Sequence, residues 1–174
     1  MIERLETERL ILRRPAARDE AGAMGFLLSP RADRIGGPFK PARAWQVFAA
    51  EVAHWDLRGY GGFAVTQRGS DRCLGIIGPF CPTGWPEPEM GWMLWEEAEG
   101  RSIGYEAARA CLRHLFRDLG WTSTVSYIDA DNARSIALAE RLGAQRDTAT
   151  TPPHPDDIVY RHMPTEDLPR EDLG

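Results

Sequence analysis

The sequence predicts an α/β fold of the α+β kind, a single domain with a mixed, mostly antiparallel sheet and helices packed on it. Three observations carry this expectation. The chain has 174 residues, enough for one core and too few for two. Its middle third is a series of short apolar runs separated only by turn residues, the pattern of an antiparallel meander. Its last third alternates helix and strand, and such a crossover requires a parallel strand pair within the sheet.

Taken in order, Arg9-Leu-Ile-Leu-Arg-Arg14 is a short apolar run stopped by Pro15 and reads as a strand. Asp19 opens a helical pattern in which Ala23, Phe26 and Leu27 share a face. Residues 29–41 contain three prolines and Gly36-Gly37, a loop signature. From Pro41 a second helix places Trp45, Phe48, Val52 and Trp55 on one face and stops at Gly59. Gly62–Gln67 and Cys73–Gly78 read as a hairpin around Arg68-Gly-Ser-Asp71, and Glu89–Leu94 as a third strand. A long helix is expected over 102–119, closed by Gly120. Ser123–Ile128 is rich in strand formers. Asp131 or Asn132 caps a shorter helix that ends at Leu142-Gly143, with room for a short strand after it. Ile158–His162 is the last strand. The domain is expected over 1–164, and an acidic, disorder-prone tail over 165–174.

Composition excludes several functions. The net charge is -5 with a single lysine, which argues against a duplex-binding protein and mildly favours cationic substrates. Cys73, Cys81 and Cys111 are odd in number and lack C-x-x-C spacing, so no disulfide framework or thiolate zinc site is expected. His54, His114, His154 and His162 show no metal-ligand spacing. The start of the chain lacks an apolar leader region, and no run is long enough for a membrane span. A cytoplasmic protein with no DNA or membrane partner is the expectation.

Two stretches carry chemistry. In Leu94-Trp-Glu-Glu-Ala-Glu-Gly-Arg-Ser-Ile-Gly104 a strand ends, a loop of small residues follows, and a long helix begins. Unpaired N–H groups and the positive dipole end at a helix start suit phosphate oxygens. Gly100 and Gly104 permit close approach of a ligand, and Arg101 adds charge. A strand-to-helix turn using glycine for steric reasons accounts for the same residues. In the second stretch, 131–144, Asn132 and Ser135 share the face at a helix start, where capping alone explains them.

Five segments in the same order resemble the GNAT superfamily of acetyl-CoA-dependent N-acetyltransferases, and within it the Rim-type ribosomal-protein N-terminal acetyltransferases. They are Glu6–Arg13, Glu89–Leu94, Gly100–Ala107, Asn132–Ser135 with Leu142–Ala144, and Ile158–Arg161. The resemblance implies a bent sheet with helices on both faces, whose central parallel strands, Glu89–Leu94 and Thr124–Ile128, splay apart. Acetyl-CoA is the implied co-substrate. Its pyrophosphate would lie on Gly100, Arg101, Ser102, Ile103, Gly104 and Tyr105, and its pantetheine arm beside Met93, Leu94 and Asn132. A bulge in the Glu89–Leu94 strand would aim one N–H at the thioester carbonyl.

The implied reaction is direct attack of a primary amine, either a protein N-terminus or a small molecule. Glu89 is the first candidate base, working through water, and Asp157 the reserve. The family's tyrosine acid aligns with Ala139, which leaves Ser135 to serve the thiolate. Trp45, Phe48, Trp55, Trp92 and Tyr60 are candidates for core or for the acceptor wall. Glu99 and Ser102 depart from the family loop, which has Gln or Arg at the first position and glycine at the second. A carboxylate near phosphates is unfavourable unless it points to solvent. These departures keep a second class open, a non-catalytic acyl-CoA-binding module. A homodimer is compatible with the sequence.

Overall fold

The computed structural model describes residues 4–165; beyond Thr165 the expected tail lies outside the described residues. One sheet of eight strands organises them, in the order β1-β2-β3-β4-β5-β6-β8-β7. The strands are β1 (Arg4–Glu6), β2 (Leu10–Arg13), β3 (Phe63–Gln67), β4 (Gly75–Phe80), β5 (Glu89–Leu94), β6 (Thr124–Asp129), β7 (Gln145–Asp147) and β8 (Asp157–His162). The helices are α1 (Glu20–Leu27), α2 (Pro41–Arg58), α3 (Ile103–Arg113) and α4 (Ala133–Arg141). All neighbouring strands pair antiparallel except β5 and β6.

The structure refines several boundaries. The opening segment is a hairpin, β1 against β2, turned by Thr7, whose hydroxyl accepts the Leu10 N–H. The loop 29–41 contains a 3-10 turn, Pro30–Ile35, started by Ser29, which accepts the Arg31 N–H. The long helix is α-helical only to Arg113 and continues as a π-helical turn over His114–Asp118. The short strand after Gly143 is present as β7.

α3 packs on one face of the sheet. Leu10, Leu12, Phe63, Val65, Ile77 and Met90 meet Ile103, Ala107, Cys111 and Leu115 there. The small residues on the buried side of α3 let the helix lie close to the strands; a Cβ at Gly104 would come within 2.7 Å of Leu94 Cδ1. α1 and α2 cover the opposite face, where Ala23, Leu27 and Phe48 meet Ala64 and Ile76.

The buried face of α2 differs from the aromatic stripe read from the sequence. Ala44, Phe48, Glu51, His54 and Trp55 are its buried residues, and Trp45 is 52% exposed. The helix is therefore turned so that a carboxyl and an imidazole face the sheet. His54 is held by backbone: Nδ1 lies 2.7 Å from the Tyr60 carbonyl oxygen, and Nε2 accepts the Cys81 N–H at 2.9 Å.

The sheet forks between β5 and β6. They are in register only at Glu89↔Val125, whereas β4 and β5 pair without interruption from Gly75↔Leu94 to Phe80↔Glu89. That unbroken register also removes the bulge expected in β5; β6 pairs just as continuously with β8, so the opening lies between two intact half-sheets. The vertex of the fork is pinned by Ser126 on β6. Its hydroxyl donates to the Met90 carbonyl oxygen at 2.6 Å and lies 3.0 Å from Nε2 of buried His162. Burial lowers the His162 pKa to about 4, so the ring stays neutral and Nε2–H can donate to Ser126.

Candidate active site

The fork opens into a cleft of about 580 Å³, within the size range of small-molecule sites. Its walls come from β5, β6, the loop before α3, the first turns of α4 and the 30–35 turn. Strand pleating decides what β5 offers. The Met90 carbonyl faces β6, and the Met93 carbonyl faces β4, 2.4 Å from a Cβ placed at Gly75. By the two-residue period, the backbone groups of Trp92 and Leu94 therefore face the opening, where β6 no longer pairs with them. Met93 contributes its side chain to the cleft and its backbone to β4.

The loop expected to hold phosphate lies at one end of this cleft. Gly100, Ser102, Ile103, Gly104 and Tyr105 line it. Ser102 has φ 57° and is the one non-glycine residue at positive φ among the described residues. A left-handed conformation costs an L-residue roughly 1–2 kcal/mol, which is the physical reason glycine suits this position. The first turn of α3 leaves N–H groups without intrahelical partners.

Arg101 does not enter the cleft wall. It is exposed and donates to the Glu97 carbonyl. The cations at the loop are instead Arg31, from the 30–35 turn, and Arg134, from the first turn of α4. Both grip Glu99, Arg134 with Nη1 3.0 Å from each carboxylate oxygen. Glu99 is exposed and at the same time paired with two guanidiniums, which offset its charge beside the loop. Arg31 Nε is also buried without a hydrogen-bond partner, so a donor remains for an anion. A pyrophosphate fits this end of the cleft on that ground.

Asn132 and Ser135 meet at the start of α4. The Asn132 side chain accepts the Ser135 N–H at 3.2 Å, a helix cap. Ser135 Oγ accepts from Trp92 Nε1 at 3.0 Å. The indole thus fixes the hydroxyl at the cleft wall and leaves its proton available to donate. Ala139, one turn later, is fully buried against Ile128 and Tyr160.

Glu89 stands at the other end, half-buried, with Trp85 Nε1 donating to Oε2 at 2.7 Å. Burial pushes its pKa up to about 7; the Trp85 bond opposes the rise, and the Asp157 charge adds to it. Asp157, at the start of β8, is itself raised by burial. The structure therefore brings Glu89 and Asp157 within electrostatic reach of one another. Tyr127, on β6, lines the same cleft, and its buried hydroxyl finds no partner among the described residues. Burial, with the charges of Glu87 and Glu89, pushes the phenol to about 12.

Sequence reasoning missed Arg31, Arg34, Arg134, Glu51 and Tyr127. Arg34, in the 30–35 turn, pairs with Asp129 at the end of β6 at 2.9 Å. Only Glu51 left a sequence signal, an acidic residue within the apolar repeat of α2. The three thiols are free. Burial raises Cys73 to about 11 and raises Cys111 further, so neither supplies a thiolate nucleophile. No group of three or more metal-ligating side chains occurs among the described residues, and none of their helices is long and apolar enough to cross a membrane.

Comparison with known proteins follows the same geometry. The model of the GNAT acetyltransferase domain matches residues 9–145. An acetyltransferase structure from Agrobacterium tumefaciens strain C58 is 36% identical, covers 94% of this chain and 96% of its own, and superposes with a TM-score of 0.90. A ribosomal L7/L12 α-N-protein acetyltransferase, RimL, in complex with coenzyme A shares the fold at 16% identity and a TM-score of 0.69, over 92% of this chain and 98% of its own. Mycothiol acetyltransferase from a Parafrankia strain is 41% identical over 64 residues, 37% of this chain; the match spans only 17% of that longer protein. With a forked sheet, a phosphate-suited loop at the fork and a family model matched across most of its length, the chain belongs to the GNAT family of acetyltransferases, whose cofactor is acetyl-CoA.

Proposed function

We propose that this protein transfers the acetyl group of acetyl-CoA to a primary amine by direct attack, with Glu89 as the proton acceptor. The observation that carries the reading is the arrangement of the fork, with cations and helix N–H groups at one end and a half-buried carboxyl of raised pKa at the other.

The bound cofactor would supply an activated thioester. The loop 100–105, Arg31 and Arg134 would hold its diphosphate, and the unpaired backbone of Trp92 and Leu94 would align its amide arm. Glu89 takes the proton that the ammonium form of the acceptor must lose, directly or through one water. A group titrating near pH 7 suits this task, because it is ionised at neutral pH and still basic. For an α-amine of pKa about 7.7–8.0, deprotonation at pH 7.5 costs under about 1 kcal/mol, against about 4 kcal/mol for a lysine amine. A single carboxylate is sufficient for the first. This supports α-amines or similarly weak bases as acceptors. Ser135 Oγ–H, aimed by Trp92, donates to the departing sulfur as the C–S bond breaks, and the second proton that the nitrogen loses as the amide forms restores the serine hydroxyl, directly or through water.

Thiol release over a panel of amines, including peptide amides with free N-termini, tests the proposal. Release that rises with acceptor concentration and falls in Glu89→Gln at pH 6.5 supports it. Cofactor binding without release on any amine would instead indicate an acyl-CoA-binding module.

A further inference from the structure

Three glycines lie side by side across the sheet on the face covered by α2. Gly78 on β4 is in register with Gly91 on β5. On its other side, a Cβ at Gly78 would stand 3.0 Å from the Cα of Gly62, just before β3. Two carboxyls rest on this row. A Cβ at Gly62 would be 3.0 Å from Glu51 Oε2, and one at Gly91 would be 3.1 Å from Glu89 Oε1. The missing side chains are what let both carboxyls lie against the strands.

Glu51 is 8% exposed, and its carboxyl makes no hydrogen bond or ion pair with a described residue. The carboxyl oxygens keep a little solvent contact and are not among the fully buried unpartnered atoms, but a carboxyl so poorly hydrated and without a protein partner is costly and calls for an explanation. His54, one turn along α2, offers it no counter-charge, because backbone groups occupy both ring nitrogens. Burial pushes Glu51 up to about 8, with the Glu89 charge contributing. The charge of Glu89 therefore reaches Glu51.

We propose that Glu51 and Glu89 form one acceptor-amine subsite, Glu89 at the cleft and Glu51 behind it across the glycine row. The proposal rests on the amine-acetyltransferase reading above and specifies the acceptor: a primary amine that arrives as a cation with no carboxylate beside its nitrogen. Peptide N-termini and simple alkyl amines fit as bound ammonium ions, and the N-termini, with the lower deprotonation cost, are the favoured acceptors; free amino acids do not fit. The acidic neighbours add to this preference, and the others offer a substrate carboxylate no free cation. Asp157 from β8 is electrostatically coupled to Glu89. Glu87, before β5, already binds both Nη atoms of Arg161, which also pairs with Asp147. That guanidinium is thus not free for a substrate carboxylate. Tyr127 from β6 supplies an uncharged hydroxyl, and His154 lies beside Asp157 and Trp85.

In the proton step, one N–H bond of the ammonium breaks and one O–H bond forms on Glu89. The pair then holds two protons and returns one to solvent after the amide leaves. Glu51 does not touch the reacting atoms; it is a positioning residue that sets the charge the ammonium meets. Once Glu51 ionises, a second unit charge stands two strand spacings, about 10 Å, behind the first. At an effective dielectric constant near 20, this corresponds to roughly tenfold in ammonium affinity.

The test is a carboxyl NMR titration of protein labelled at glutamate Cδ, as wild type, Glu51→Gln and Glu89→Gln, with ethylamine, glycinamide or glycine. The expected result is a high Glu51 midpoint that falls when Glu89 is neutralised, and falls again with ethylamine or glycinamide but not with glycine. In thiol-release assays with ethylamine, which is still an ammonium ion there, Glu51→Gln should raise the acceptor KM about tenfold above pH 8.5, leave it unchanged at pH 6.5, and leave the acetyl-CoA KM unchanged; Glu51→Asp should recover part of the loss. A Glu51 midpoint indifferent to both Glu89→Gln and the amines, or a KM penalty equal at every pH, overturns the proposal. If Glu51→Gln fails to fold, the wild-type and Glu89→Gln titrations still decide. Absence of turnover on every amine would count against the transferase reading, whereas the titration reports on the subsite alone.

Discussion

Replacing Glu51 by glutamine keeps the shape of the side chain over Gly62 and removes its ability to ionise. Between pH 4.5 and about 8, the folded protein retains a proton on Glu51 that the unfolded chain has released. Wherever the folded state binds the extra proton, stability falls as pH rises. The contribution is therefore absent below pH 4.5, grows through neutrality and levels off above about 8. A rise from 4.5 to about 8, at 1.36 kcal/mol per pH unit, corresponds to roughly 5 kcal/mol. Relaxation around the ionised group makes this an upper figure, and about 3 kcal/mol is a reasonable lower one. Glu51→Gln should thus match wild type near pH 5 and exceed it by about 3–5 kcal/mol at pH 9. For a domain of this size, that is on the order of 10 °C in melting temperature. Urea unfolding at pH 5, 7 and 9 measures the difference. Parallel stability curves for the two proteins would show that Glu51 keeps an ordinary pKa, and the reasoning from burial would fail. A stabilising variant with impaired acceptor binding is the pattern expected when stability has been given up for a site.

Other perturbations address the cofactor end. Glu99→Gln releases Arg31 and Arg134 from their present partner, and it should tighten acetyl-CoA binding about three- to tenfold by calorimetry while steepening its salt dependence; unchanged affinity would mean the two guanidiniums do not meet the diphosphate. Ser102→Gly relieves a left-handed serine and should stabilise by up to about 1 kcal/mol in thermal unfolding, less the chain entropy that glycine adds to the unfolded state. A loss of stability would show that the serine side chain holds the loop. Ser135→Ala should lower kcat by roughly 10–100-fold with the acetyl-CoA KM unchanged. Trp92→Phe removes the same hydrogen bond and should cost only a few-fold, so equal losses in the two variants would assign Ser135 a packing role.

What the sequence determined by itself is what local chemistry specifies. Pro15, Gly59 and Gly143 fix where elements stop, because proline cannot continue a ladder and glycine accepts the left-handed cap. The glycine and small-residue loop before α3 marks a phosphate-suited helix start, and the order of strands and helices requires a parallel pair. The register of β4 on β5, which excludes a bulge, was not legible, since pairing depends on a partner strand distant in sequence. The same holds for charge. Glu99 reads as an unfavourable carboxylate until residues 31 and 134 are brought to it by two other segments. Glu51 stands three residues after Phe48 and four before Trp55, within the apolar repeat, but an apolar-period argument passes over acidic residues and assigns it no partner. Only the docking of α2 on Gly62, Gly78 and Gly91 turns that carboxyl inward, toward Glu89 on a strand 38 positions later. Burial and proximity, which raise both carboxyl pKa values, arise when distant segments pack, so the chemistry of the pair belongs to the tertiary structure.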